Sequence, residues 1–218
     1  MRDYLAEFLG SFFLVATVIG SGIMGDRLSD DVAVSLLGNT IATGAILFVL
    51  IKMFGKVSGA HFNPAVSIVF LIRKEIGHKK FLFYILCQFA GGIIAVFITH
   101  YIFCTATEPL ALFQISEHPP RSEHLGLLVS EIMATSGLIL TILFVRSNDE
   151  GSVATAVALF ITAGYWFTSS TSFANPMVTI SRIFTDTFTG IDPTSVPYFL
   201  TGQLIGVLIA YLITKKIK

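Results

Sequence analysis

The sequence predicts an all-α membrane protein: six transmembrane helices plus two re-entrant half-helices, laid out as two inverted repeats. Three observations predict it. The 218 residues are 54% hydrophobic and only 13% charged, with a mean hydropathy of +0.79, whereas a soluble domain carries about 25% charged residues. Two Asn-Pro segments each open a short apolar run. The segments flanking them recur in the same order in both halves of the chain.

Six stretches are long enough to cross a bilayer: 4–24, 32–54, 81–104, 124–146, 152–171 and 196–214. The N-terminal one resembles a signal peptide at first glance. Its apolar run is too long for an h-region and no small-residue cleavage pattern follows, so it reads as the first span. With the N-terminus cytoplasmic, the inner side carries Arg2, Lys52, Lys56, Arg73, Lys74, Lys79, Lys80, Arg146, Lys215, Lys216 and Lys218, and the outer side only Arg27, Arg121 and Arg182. Eleven basic residues against three place both termini inside. The outer loops are acidic instead, with Asp26, Asp30, Asp31, Glu108, Glu117, Glu123, Asp186 and Asp192. The stretch 105–123, with Pro109, Pro119 and Pro120, is a long outer connector between halves of one fold.

The Asn-Pro segments are Gly59-Ala60-His61-Phe62-Asn63-Pro64-Ala65-Val66-Ser67 and Ser172-Phe173-Ala174-Asn175-Pro176-Met177-Val178-Thr179. Asn is among the best N-caps, and Pro at the first helical position loses only an N–H that has no partner there. Each therefore starts a helix. The apolar run behind it lasts about six to ten residues, at most half of a bilayer core.

The halves repeat. Glu7 within Tyr4–Gly10 matches Glu131 within Leu128–Ala134, Asn63-Pro64 matches Asn175-Pro176, and Gln88 matches Gln203. Three spans and a half-helix, repeated, are necessarily inverted, because an odd number of spans puts the copies on opposite sides. One channel domain over 1–218, with repeats of about 1–104 and 124–218, is the expected organisation. The half-helix N-termini then meet near the midplane. Each carries roughly half a positive charge and unpaired N–H donors, which disfavours cations, and the amides of Asn63 and Asn175 donate into the same space. That chemistry fits a pore for small uncharged polar molecules.

Ser58-Gly59-Ala60-His61-Phe62-Asn63-Pro64-Ala65-Val66 resembles the first signature of the aquaporin (major intrinsic protein) family, and the likeness extends over essentially the whole chain. The resemblance implies a right-handed bundle, one pore per subunit and a homotetramer in membrane lipid. It also implies that Glu7 and Glu131 brace the half-helix loops, a role that their symmetric placement favours over proton or sodium sites. His61 is expected to line the inner half of the pore through its carbonyl or ring. His100 reads as a span-end residue.

The sequence departs from the family at the outer filter. The arginine that usually follows the second motif is Val178, and the motif's alanine is Met177. Counting from each Asn-Pro, the other filter positions fall near Thr43, Ala163 and Ser172, with Gly164 and Tyr165 as alternative registers of the fifth span. Small residues there, and no fixed guanidinium, imply a wide mouth that admits glycerol, urea or neutral metalloid hydroxides such as arsenous acid. The second motif resembles a bacterial branch associated with arsenic-resistance operons. Arg182, four residues beyond Val178, either guards the outer vestibule or snorkels to the surface. Met177 either packs behind Pro176 or narrows the midplane, and Trp166 fits lipid or neighbour packing better than a pore role.

Zero formal net charge and the lack of a basic-aromatic surface give no reason to expect a nucleic-acid partner. Cys87 and Cys104 lack metal spacing, no cofactor is expected, and no catalytic constellation is visible. The leading reading is a passive channel in the cell (plasma or inner) membrane. The alternatives are an ion-coupled secondary transporter, which also uses broken helices, and a weakly conducting structural member of the same fold.

Overall fold

The computed structural model describes residues 1–105 and 111–217; Glu108, Pro109 and Lys218 lie outside them. Eight α-helices follow one another among the described residues: α1 (Arg2–Leu28), α2 (Val32–Ser58), α3 (Pro64–Ile72), α4 (His78–Phe103), α5 (His124–Asn148), α6 (Val153–Phe167), α7 (Pro176–Ser181) and α8 (Val196–Ile217). Their boundaries have local causes. Asp31 caps α2 by accepting from the Ala33 N–H at 2.8 Å. Gly59 ends α2 with φ of 91°, the left-handed position that a side chain disfavours.

Among the described residues, five helices are long and apolar enough to cross a membrane: α1, α2, α4, α5, and α8 with its preceding turn from Pro193. The expected span 152–171 is helical for only 15 residues, about 22 Å at 1.5 Å per residue. The polar run Thr168–Thr171 ends it: the Thr168 hydroxyl donates back to the Gly164 carbonyl at 2.7 Å and the chain turns into the second Asn-Pro approach. The half-helices α3 and α7 are 9 and 6 residues long.

Packing mirrors the sequence repeat. Helix α1 lies against α4 and α2, and α5 lies against α8 and α6, while α2 and α6 join the halves. Close helix approach uses matched glycines. A Cβ on Gly91 of α4 would run into the carbonyl of Phe8 on α1. A Cβ on Gly206 of α8 would sit 3.0 Å from the carbonyl of Ile132 on α5. Small residues at such crossings are how membrane helices approach without a hydrophobic drive between them. At the Met1 end, ion pairs Lys80–Asp3 (3.0 Å) and Arg146–Glu75 (2.7 Å) join helix termini. Burial alone would raise Glu75, but hydrogen bonds from Arg73 and Arg146 hold its carboxyl below the usual range.

Candidate functional site, a lumen between two half-helices

The two approaches to α3 and α7 have the same unusual backbone. Gly59, Ala60 and Phe62 have positive φ in the first, and Thr171, Ser172 and Ala174 in the second. Each set is offset by 112 positions, like the two asparagines. Five of these six residues are not glycine, so the turns are strained and need outside support.

That support is the buried carboxylates. Glu7 accepts from the Ser58 hydroxyl (2.6 Å), the N–H groups of His61 (2.9 Å) and Phe62 (2.7 Å), and the Gln88 amide (2.8 Å). Glu131 accepts from the Ser170 hydroxyl (2.5 Å), the N–H groups of Phe173 (3.0 Å) and Ala174 (2.9 Å), and the Gln203 amide (2.6 Å). Both carboxylates are fully buried, and neither lines the lumen described below.

The asparagines tie the loops to each other. Asn63 Nδ2 donates to the Ala174 carbonyl at 2.7 Å, and Asn175 Nδ2 donates to the Phe62 carbonyl at 2.9 Å. Their Oδ1 atoms cap the half-helices through the N–H groups of Ala65 (2.8 Å) and Met177 (3.0 Å). One N–H of each amide is therefore committed to the opposite loop, and the second is left to the lumen, which both residues line.

The lumen runs between the halves, from Ile51, Phe70 and Val153 past the asparagines to Thr43, Tyr165 and Arg182. One wall is the stripe Val153, Val157, Ile161 and Tyr165 on α6, at four-residue spacing. This fixes the register of the fifth span and corrects it. Ala163 lies two residues, roughly 200°, away from Ile161; it is exposed on the outer face and takes no part in the lumen. Tyr165 stands there instead, its hydroxyl 3.0 Å from Thr43 Oγ1. The expectation of an all-small mouth therefore fails on one side.

The remaining residues fall as follows. Val178 and Ser172 line the lumen beside Thr43, and Ser172 Oγ is buried without a protein partner. His61 lines the inner half, with Nδ1 3.0 Å from Ser67 Oγ. That hydroxyl also accepts from Gln88 Nε2 at 3.1 Å, and where it donates to Nδ1 the ring proton sits on Nε2. Met177, Pro64, Ala65 and Pro176 do not reach the lumen. Met177 is fully buried and fills the space that a side chain at Gly92 would need, next to Ser181. A glycine opposite thus accommodates methionine where the family motif has alanine. Trp166 is 53% exposed.

Arg182 is only 3% exposed, so it does not snorkel. Its guanidinium carbon lies 3.7 Å from the centre of the Phe173 ring, and its Nε donates to the Thr189 carbonyl. Among the described residues it is the one charged side chain of the lumen. His100 holds the outer loop, with Nδ1 2.8 Å from the Ala111 carbonyl and Nε2 2.7 Å from Thr185 Oγ1. Sequence reasoning gave no functional part to Tyr165 beyond an alternative register, and none to Thr171 or Arg121. The four-residue stripe on α6 was the available signal, diluted because that helix is apolar on nearly every face.

A helical bundle with two capped half-helices meeting over a continuous lumen defines a broken-helix membrane channel. Residues 1–152 match the family described as major intrinsic protein. The chain is 44% identical over 209 residues to aquaglyceroporin AqpS of Rhizobium meliloti (strain 1021), covering 96% of this chain and 87% of that one. It is 29% identical to aquaporin NIP2-1 of Zea mays over 95% of this chain and 68% of that one. The X-ray structure of the aquaglyceroporin from Plasmodium falciparum superposes with a TM-score of 0.78 at 25% identity, covering 99% of this chain and 95% of that one. The chain belongs to the major intrinsic protein family; it is a multi-pass membrane protein and a passive channel for small uncharged polar solutes, not an enzyme.

Proposed function

We propose that the channel selects at an outer filter of Thr43, Tyr165, Ser172 and Val178, with Arg182 one turn further out, and that it admits glycerol-sized neutral solutes as well as water. The observation that carries this is the lining. It offers hydroxyls on one side and an apolar stripe on the other, with no carboxylate among the described residues. A polyol can lay hydroxyls on the first and carbon on the second, while an ion finds too little to replace its hydration shell. Urea and neutral metalloid hydroxides such as arsenous acid belong to the same class. The relatives named aquaglyceroporin support the reading.

Asn63 and Asn175 orient the solute at the midplane, His61 donates below it, and Glu7 and Glu131 brace the loops. A carboxylate already saturated by four donors is a poor coupling site, which weighs against an ion-coupled transporter. The basic bias supports a reading with both termini in the cytoplasm, and the same reading takes the chain as one channel domain in the cell membrane. The homotetramer rests on family likeness.

Stopped-flow light scattering on proteoliposomes tests the filter. Solute-driven reswelling with glycerol is expected in wild type. Removing the phenol in Tyr165→Ala should raise glycerol flux about tenfold, the equivalent of roughly 1.4 kcal/mol off the barrier, and extend it to larger polyols. Unchanged size selectivity in that variant would exclude Tyr165 from the filter. Arg182→Ala should alter the glycerol-to-urea ratio; an unchanged ratio would remove Arg182 from the selective path.

A further inference from the structure

Outside the filter lies a second, smaller chamber, walled by the outer loop, the segment after α7 and the starts of α5 and α8. Arg121 and Arg182 both line it. Arg182 uses Nε on the Thr189 carbonyl, and Arg121 uses one Nη on the Phe188 carbonyl at 3.4 Å. Neither guanidinium has a carboxylate partner among the described residues, so most of their N–H donors are uncommitted. Two buried hydroxyls in the same wall also lack partners: Ser195 Oγ and Thr171 Oγ1, on residues 1% and 4% exposed. The one acid in the wall among the described residues is Asp192, whose carboxylate is taken up by the Thr194 N–H at 2.6 Å and by the Thr194 hydroxyl. Helix α8 starts directly after Ser195, and Leu127 in the wall belongs to the first turns of α5. Two long helices therefore add their positive ends.

Planar forks of N–H donors match an oxyanion, which accepts from both guanidinium groups and neutralises the cations. The lumen beyond the filter is apolar along Val153, Val157 and Ile161 of α6, so a charged species is disfavoured there. We infer that the chamber is a recognition site for small oxyanions, the ionised forms of solutes with an acidic oxygen, which pass the filter only after taking a proton from bulk water. The inference adds a solute class to the channel proposed above and rests on that reading for its transport part alone. Organic carboxylates and inorganic oxyanions share the chemistry.

Calorimetric titration of the detergent-purified protein with glycolate, and separately with phosphate, at ionic strength matched by chloride, tests the site without any flux. Saturable one-to-one binding of at least one of them is expected, and which one binds identifies the source. Arg121→Gln should weaken it about tenfold, the loss of one charge-assisted contact. Arg121→Lys, which keeps the charge but not the fork, should restore only part of it. No saturable binding of either anion, or equal binding by Arg121→Gln, would overturn the inference. In proteoliposomes the bound anion should slow glycerol reswelling from outside. Glycerol impermeability of the wild type would overturn the channel reading while leaving the titration to decide the site.

Discussion

Glu131→Ala is expected to leave little folded protein in the membrane. The substitution strips an acceptor from the Ser170 hydroxyl, two backbone N–H groups and the Gln203 amide at once. Each donor stranded in a buried site costs about 1–3 kcal/mol, so the four together cost about 4 kcal/mol or more, against native stabilities of roughly 5–15 kcal/mol. The damage does not stop at counting bonds. Thr171, Ser172 and Ala174 keep positive φ only while neighbouring N–H groups are held, so the approach to α7 should relax and carry Asn175 with it. Size-exclusion profiles of a fluorescent fusion, with thermal unfolding in detergent, would measure this. Glu7→Ala should do the same in the first repeat, because its four partners are the counterparts. Native-like yield and melting temperature for both variants would show that the carboxylates are not the support.

The brace was legible in the sequence because its cost is visible there. A carboxylate inside an apolar span is expensive, and finding one at the same place in each repeat leaves few explanations. The half-helices were legible for a similar reason: Asn-Pro has a distinct meaning at a helix start, and two copies at matched places turn a weak signal into an architecture. The register of α6 was not. Its 15 residues are almost all apolar or small, so no period separates the face holding Tyr165 from the face holding Ala163. Only packing against α2, which brings Tyr165 to Thr43, selects one. The outer chamber was hidden because Arg121, Thr171, Arg182 and Ser195 are far apart in sequence and the loop that gathers them has no repeat partner. The role of Gly92 was hidden likewise, because a glycine reveals what it makes room for only when Met177 is seen against it.

Asn63→Asp is the prediction with the largest effect on conduction itself. In wild type, Asn63 Nδ2 donates to the Ala174 carbonyl while Oδ1 caps α3. A carboxylate keeps the cap, and the positive end of α3 favours it. It has no hydrogen to give Ala174, so two oxygens face each other at the junction of the loops. Half of the reciprocal tie is lost, and the tie from Asn175 to Phe62 alone remains. The new negative charge also faces a lumen whose only other charge among the described residues is Arg182. It cancels the positive field of the half-helix ends, which is the device that disfavours cations at the midplane. Two changes are therefore expected together. Glycerol flux should fall about tenfold, since one lost donor and a displaced loop are worth roughly 1.4 kcal/mol at the barrier, and sodium leak should rise above the wild-type level. Stopped-flow reswelling and sodium-dye fluorescence on the same vesicles read both. Lower glycerol flux with no rise in cation leak would mean that Asn63 acts only as a tie between the loops, and that the exclusion of cations resides in Arg182 at the outer mouth.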